Sequence, residues 1–587
     1  MAFPALRLKR PVPQRATNDA VHLPAPVGGI NASDPASAMP PTDCLSLWNF
    51  IPYQYGLRVR SGWREWCSNV GTSQAGLGFF DDGSPLEFSI AAPLGGAVVG
   101  NWPGITRDGV RTLIAFYGKN EAGNRLFACT AGGIWDCTHS TDAPVMVYDF
   151  AANGLVSNGE SGKGIYTSFA NAASNHYIAY CDAANGYLLY SESSGTWSKV
   201  GYSAVAGNIN PTLGNGDPAP NPSSFRFVMS WKNRLWFIPE DSSTAYYLNV
   251  SEFYGTLNPI YFGSRFSHGG SLVGLWSWTI DGGSGIDDKL VGISSGGDVV
   301  IYEGTDPTDP TAFGLKGVWW VGQVPPGRNI ASDFGGDLFI LSRLGCVPLS
   351  KLVSGVLVAE PTLYATTKIA NLFNSLMTER GMFEGWSVKM HPSDNILIVN
   401  VPASPDKPQQ QLVMSLANKG WAQHYGVPMM CMEAWKGTLY FGTEDSQVCV
   451  NDGYTDGAKL DGTQGYAIDC VIETAYNNMG TARKKRVHMI RPYFSTDGTK
   501  PGYQVQARYD FDLAGIGIVP TTPTPPASSW GLGKWGAALW GKGTGTEARL
   551  KGTTGMGTSV AFILRMTTKT NTTLVGFDAI MDQGGLR

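Results

Sequence analysis

Charge is scarce in this chain. Asp, Glu, Lys and Arg together make up 15% of its 587 residues, against about 25% in an average soluble protein. A chain so poor in charge either exposes much uncharged polar surface or buries surface in an assembly. Its formal net charge of −4 argues against a protein that grips nucleic acid over a broad basic face, though not against a surface past which DNA slides. Long apolar runs are missing as well, so no transmembrane helix is expected. Arg7, Lys9, Arg10 and Arg15 near the N-terminus are not followed by an apolar core segment, so no secretory signal is expected.

Cysteine and histidine chemistry is sparse. The nine cysteines (Cys44, Cys67, Cys129, Cys137, Cys181, Cys346, Cys431, Cys449 and Cys470) are odd in number and form no Cys-x-x-Cys pair. They read as reduced core thiols of a protein made in a cytosol. Cys129 and Cys137 could face each other across one hairpin, although two small core residues on paired strands are the simpler reading. His22, His139, His176, His268, His391, His424 and His488 are scattered singly, which suits surface or strand positions better than metal ligands. No His-Glu-x-x-His, Gly-x-Ser-x-Gly or phosphate-loop pattern occurs. Ser191-Glu192-Ser193-Ser194-Gly195-Thr196-Trp197 is a poor, solitary copy of the sialidase turn: it lacks the Asp and has the wrong Gly-to-Trp spacing. An enzyme is therefore not expected, and neither is a cofactor.

What the chain does have is glycine (74), proline (36) and aromatics, with the first two falling between alternating segments as turn markers. One phrase recurs: a strand of alternating bulky residues, a tight turn and a second strand. Its clearest copy is Lys436-Gly437-Thr438-Leu439-Tyr440-Phe441-Gly442 followed by Glu444 to Val450. Others start at Asn124, Asp288 and Asp337. A hairpin repeated every few tens of residues marks a β-propeller. Taking one bulky anchor from each repeat gives Leu126, Leu188, Leu235, Leu290, Leu338, Ile396 and Leu439, and hence six to eight blades with long inserted loops.

The expected organisation is all-β. Residues 1–45 form an extended Pro-rich arm that packs on something else. Residues 46–464 form an irregular propeller, with residues 45–66 as the candidate strand that closes the ring. Ile369, Leu372, Phe373 and Leu376 fall at helical spacing within 366–380, with Gly381 as the stop, so one inserted helix is expected there. Residues 465–587 read as an antiparallel β-sandwich with strands over 466–476, 487–494, 503–509, 559–567 and 573–581.

Three groups of residues are candidate sites. Carboxylates crowd several turns: Asp81-Asp82, Asp287-Asp288, Asp306 with Asp309, Glu444-Asp445, and Asp452 with Asp456. Such groups can bind Ca²⁺ or act as acid and base, but in Gly-rich turns they more often cap backbone amides. Trp530, Trp535 and Trp540 could form a sugar-stacking ladder or be turn and core residues. Arg483-Lys484-Lys485-Arg486 is the one basic cluster, a possible subunit or DNA contact. Because a strand alternates faces, at most two of its four cations should point the same way.

Several phrases resemble one family of phage virion proteins. The first is Leu23-Pro24-Ala25-Pro26-Val27-Gly28-Gly29-Ile30-Asn31-Ala32-Ser33-Asp34, then Ala38-Met39-Pro40-Pro41-Thr42-Asp43-Cys44, Trp48-Asn49-Phe50-Ile51-Pro52 and Val59-Arg60-Ser61-Gly62-Trp63. The second is Val575-Gly576-Phe577-Asp578-Ala579-Ile580-Met581-Asp582-Gln583-Gly584-Gly585. The third is the hairpin Leu439-Tyr440-Phe441-Gly442-Thr443-Glu444-Asp445. Together they look like the tail nozzle of short-tailed bacteriophages (podoviruses), also called tail tubular protein B or DNA-stabilisation protein. That resemblance implies a structural protein of the virion tail, made in the bacterial cytoplasm and assembled as a homohexameric ring. Its partners would be a tail adaptor above, tail fibres at the side, the host cell surface at the tip, and double-stranded DNA passing through the lumen without sequence specificity. Two other readings stay open. One is a receptor-binding or polysaccharide-degrading tail component using a propeller face and the Trp-rich loops. The other is a scaffold propeller that binds protein partners, with the arm as a docking peptide.

Overall fold

A computed structural model describes residues 19–71, 90–91, 97–98, 108–279, 288–309, 311–334, 336–355, 363–391, 393–497, 500–512 and 545–583. The carboxylates Asp81, Asp82 and Asp287 and the tryptophans Trp530, Trp535 and Trp540 lie outside the described residues.

Among the described residues the fold is all-β, a propeller joined to a sandwich. Seven antiparallel blades follow one another. Blade 1 runs through Thr112–Phe116, Arg125–Cys129, Gly133–Asp136 and Val145–Asp149. Blade 2 runs through Gly164–Ala170, His176–Asp182, Gly186–Ser191 and Thr196–Lys199. Blade 3 comprises Phe225–Trp231, Arg234–Pro239, Thr244–Tyr247 and Asn258–Tyr261. Blade 4 comprises Leu272–Trp278, Lys289–Ser294, Asp298–Gly304 and Phe313–Trp320. Blade 5 has three described strands, Ala331–Phe334, Asp337–Ser342 and Gly345–Pro348. Blade 6 holds Ser387–His391, Ile396–Val401, Gln410–Ser415 and Trp421–His424. Blade 7 takes Cys431–Trp435, Thr438–Gly442 and Val448–Asn451 from the end of the propeller. Its outermost strand is Trp63–Cys67, from near the chain's start.

The recurring sequence phrase is the hairpin of second and third strands within a blade. Six of the seven anchors sit in second strands. Leu188 is the exception, since it lies in the third strand of blade 2 and Ile178 occupies the second. Both strands of that blade carry buried aromatic and aliphatic residues in the same alternation, so composition alone could not tell them apart. Turn chemistry fits the twist of the hairpins: Lys436 and Gly437 between the first two strands of blade 7 have φ of 50° and 78°. That is the left-handed pair that a two-residue hairpin turn requires.

Each blade packs its face on the next, and the seven seams have separate apolar fillings. Ile114, Phe127, Tyr180 and Leu188 fill the seam of blades 1 and 2. Leu113 and Ala128 meet Trp435 and Val448 between blades 7 and 1, which completes the ring. The closing strand is therefore the last part of the expected stretch 45–66. It covers the open edge of blade 7 with main-chain hydrogen bonds.

The arm and the domain boundary differ from expectation. Asp19–Pro24 pairs antiparallel with the last strand, Thr572–Gln583. Ala25 and Ile30 are buried, so residues 19–45 pack on the chain's own body. Cys44–Trp48, Phe50–Tyr53 and Gly56–Val59 belong to the sandwich rather than to the propeller. One sandwich sheet orders Gly502–Tyr509, Val560–Thr568, Tyr466–Thr474 and Cys44–Trp48. The other is built on the long antiparallel pair Lys485–Thr496 and Thr572–Gln583. The first and last described strands thus belong to one domain, a long-range pairing that no local pattern reveals.

The expected helix is present as Ala370–Arg380, entered through a 3₁₀ turn Thr367–Ile369 and ended at Gly381. A short helix, Leu349–Val353, was not foreseen. Phe373 and Leu376 carry the longer helix into a core shared with the sandwich. There Leu341, Val388 and Trp421 of blades 5 and 6 meet Ile468, Phe562 and Phe577. Propeller and sandwich are therefore fused by packing as well as by strand pairing.

All nine cysteines are free, and only Cys431 is not fully buried. Cys129 faces Ile134, not Cys137. The Cys137 thiol instead interacts with Cys67 of the closing strand, and this contact together with burial raises its pKa well above the usual value.

Candidate functional site

The inner strands of all seven blades run the same way, so the residues that start them surround one mouth of the propeller axis. Several of these residues are charged. Lys163 precedes Gly164 of blade 2, Arg226 is the second residue of the first strand of blade 3, Arg328 leads into blade 5 and Glu384 into blade 6. Lys163 Nζ lies 2.9 Å from Glu160 Oε1 and 2.5 Å from Glu384 Oε2. Arg328 reaches the same two carboxylates at 3.8 and 3.7 Å. Because blades 2 and 5 are on opposite sides of a seven-membered ring, this network spans the mouth. Beside it, Arg226 pairs with Glu240 at 2.7 Å. Glu160, Arg226, Glu240, Asp241 and Arg328 line an open cleft of about 220 Å³. The sequence reading missed these residues. Their signal, a charge at each inner-strand start, becomes legible only when the blade register is known.

Deeper along the axis Lys389 of blade 6 holds Glu433 of blade 7 with contacts of 2.7 and 3.0 Å. Tyr166 of blade 2 approaches Glu433, and its hydroxyl accepts the Ala115 amide at 3.1 Å. Burial first, then this carboxylate, raises the Tyr166 phenol well above its ordinary pKa. Among the described residues, paired side chains from blades 2, 5, 6 and 7 thus meet across the axis.

The basic cluster divides. Lys485 begins the long sandwich strand and is fully buried. Its ammonium donates to the carbonyls of Thr481, Arg483 and Thr558 at 2.5, 2.9 and 2.8 Å, and burial lowers its pKa. Lys485 is thus a structural cap and not a contact residue. Arg483, Lys484 and Arg486 are exposed. Three of the four cations are therefore available rather than two, because Arg483 and Lys484 precede the strand and escape its alternation. On the same strand Arg491 and Tyr493, joined by His22 from the N-terminal strand, hydrogen-bond Asp578. Burial pushes this carboxyl up, but those donors outweigh it and hold the pKa at about 2.

Four of the described turn carboxylates act within the fold, while Glu444 and Asp445 are exposed. Asp306 accepts the Thr308 amide and hydroxyl, and Asp309 those of Thr311. Asp452 pairs with Arg64 and Asp456 with Arg60. No group of three or more His, Cys, Asp or Glu placed to hold a metal occurs among the described residues.

The joint between propeller and sandwich is the most tightly built polar locus. Arg60, 2% exposed, gives two bonds to Asp456 (2.8 and 2.6 Å), and one each to Asn49 Oδ1, the Ser61 carbonyl and the Tyr425 carbonyl. All five guanidinium N–H groups are used. A small cavity of about 20 Å³ beside it, lined by Arg60, Asp394, Gln411, His424 and Asn451 among others, has room for about one water. His424 is buried there and its pKa falls to about 3, first from burial and then from the neighbouring Arg60 charge.

Comparison with known proteins assigns neither a family nor a function. No protein-family model matches the chain, and no curated protein matches it. Among solved structures, the computationally designed Ika8 protein is similar at a TM-score of 0.32 and 9% identity, covering 59% of this chain and 96% of that one. The extracellular domain of a putative one component system from B. thetaiotaomicron reaches 0.37 and 8%, covering 78% and 55%. That of a putative hybrid two component system from the same organism reaches 0.34 and 13%, covering 59% and 40%. Likenesses with TM-scores this low carry no functional assignment.

Proposed function

We propose that this chain is a structural subunit of a short phage tail, forming with five further copies the nozzle ring that conducts and gates the genome. The observation that carries the reading is that the phrases resembling the nozzle family meet at one joint. The Gly28 amide donates to Thr42 O at 2.8 Å and the Ile30 amide to Trp421 O at 2.8 Å. Asn31 and Lys368 both bind Asp43, each at 2.9 Å. The phrase at the chain's end pairs with the N-terminal strand, and the hairpin phrase lies in the blade closed by Trp63–Cys67. Residues that tie the first and last described strands and both domains together suit wall material. The side-chain pairs that cross the propeller axis favour DNA travelling between copies rather than through one. Walls poor in Lys and Arg would let a duplex, with about one charge per 1.7 Å of axis, slide rather than bind by counterion release. A ring of identical copies follows from a head-to-tail interface that closes.

Electron microscopy of the purified chain, and of the chain mixed with adaptor-bearing capsids, tests the reading. Six-fold rings docked below the adaptor are expected. Protein that stays monomeric at high concentration and does not bind such capsids would refute it.

A further inference from the structure

The propeller leaves one edge unusually open. The outer edge of blade 6 is met by Cys44–Trp48, and the closing strand of blade 7 by Thr455–Ala458. Blades 1, 2 and 3 end in outer strands of five, four and four residues. Blade 4 ends in Phe313–Trp320, eight residues long, and among the described residues this strand pairs only with Asp298–Gly304. It contains no proline and a single lysine, the usual guards of an edge. Leu315, Val318 and Trp320 are 39%, 37% and 36% exposed.

The register shows which groups are free for a partner. Val321 N donates to Gly297 O, so Trp319 and Gly317 bond inward to the neighbouring strand, while the amides of Val318 and Trp320 face outward. At the end of the strand His268 stacks on Trp320, with ring centroids 4.8 Å apart and planes at 24°. His268 is fixed there by two bonds to Asp298, at 2.7 and 2.8 Å, and Asp298 is itself 1% exposed. The hairpin at the other end carries Glu303, Asp306 and Asp309; Lys316 pairs with Glu303 at 3.4 Å and Arg234 with Asp306 at 3.0 Å, which leaves this end acidic by one charge, with Asp309 exposed. An exposed ladder of amides ending in a braced aromatic is the pattern of a surface that accepts an added strand.

The chain itself contains a segment of matching chemistry. Residues 1–18, which lie outside the described residues, hold four cations and no acid. The rest of the chain therefore carries −8, since the whole carries −4. Pro4 and Pro11 bound a proline-free stretch in which Leu6 and Leu8 alternate with Arg7 and Lys9. That is a strand pattern with one apolar and one basic face. We propose that residues 5–10 of a second copy add as a strand to the open edge of Phe313–Trp320, with the cations toward the acidic hairpin. The arm then links neighbouring copies. This inference does not depend on the tail reading, and failure of the capsid experiment would leave it standing.

The test uses the full chain and a fluorescein-labelled peptide of residues 1–18, read by fluorescence anisotropy. Saturable binding is expected, with none for a scrambled peptide. A chain carrying Leu6→Glu and Leu8→Glu, whose edge stays vacant, should bind the peptide more tightly. Val318→Pro removes one outward amide without touching the inner ladder; it should weaken binding at least tenfold with an unchanged circular dichroism spectrum, and Trp320→Ala should do the same. Equal binding to wild type and Val318→Pro, or no preference over the scrambled peptide, overturns the proposal. Loss of self-association in Val318→Pro without peptide binding overturns it too, because the edge would then pair with another copy's edge.

Discussion

Replacing His424 with leucine should remove a defined part of the protein's sensitivity to acid. The imidazole sits in the outer strand of blade 6, against the Phe50 carbonyl at 3.4 Å and near Arg60. Its folded pKa of about 3 lies below the ordinary 6.5, so the folded chain refuses a proton that the unfolded chain accepts. The stability contributed by the neutral ring is complete above pH 6.5 and is lost as the pH falls from there toward 3. Each pH unit in that window costs about 1.4 kcal/mol. From pH 7.5 to 5.0 the loss from this one residue is therefore about 2 kcal/mol. Urea unfolding followed by tryptophan fluorescence at the two pH values measures it, and His424→Asn serves as a second variant with a polar side chain. Only the difference between pH values matters, so a variant that is weaker at both still reports. Identical acid losses in wild type and both variants would refute the buried-neutral assignment. His391 is also buried, and burial lowers its pKa as well, so adding His391→Leu should flatten the profile further.

Other residues give sharper structural tests. Gly29 has φ of +75°, and a Cβ there would lie 2.4 Å from Trp421 N; Gly29→Ala should cost at least about 1–3 kcal/mol from backbone strain and overlap, read as a lower melting temperature. Arg60→Ala should destabilise by about 3–5 kcal/mol, because Asp456 is left as an uncompensated, largely buried charge, and should raise protease cleavage between propeller and sandwich. Lys485→Met should cost about 1–3 kcal/mol by removing the donor shared by the part-buried carbonyls of Thr481, Arg483 and Thr558. By contrast, Arg483→Ala, Lys484→Ala and Arg486→Ala should each stay within about 0.5 kcal/mol of wild type. Equal effects at all four positions in thermal melts would contradict the division of the cluster.

Much of the fold was readable because it is local. Strand alternation, tight turns and the 3.6-residue spacing of Ile369, Phe373 and Leu376 are written within a dozen residues. The sandwich strands near 466–476, 503–509 and 573–581 were legible for the same reason. The joint was only half legible. Gly28 and Gly29 stand out as a motif, but the reason for them, the approach of Thr42, Asp43 and Trp421, spans up to several hundred residues. The axial network was not legible at all, since Lys163, Arg328 and Glu384 are unremarkable singly and meet only when blades 2, 5 and 6 are placed around one axis.

The sequence by itself determined the all-β character, the repeated hairpin and the place of the one long helix, because each rests on side-chain period and turn chemistry between near neighbours. The tertiary structure decided what those units close into. It set seven blades, drew Trp63–Cys67 into the last one, and moved residues 19–59 into the sandwich beside Thr572–Gln583. It also turned Lys485 inward while leaving its neighbours in solvent. These choices depend on which distant edges and faces satisfy one another's hydrogen bonds and apolar area, and that complementarity exists only in three dimensions.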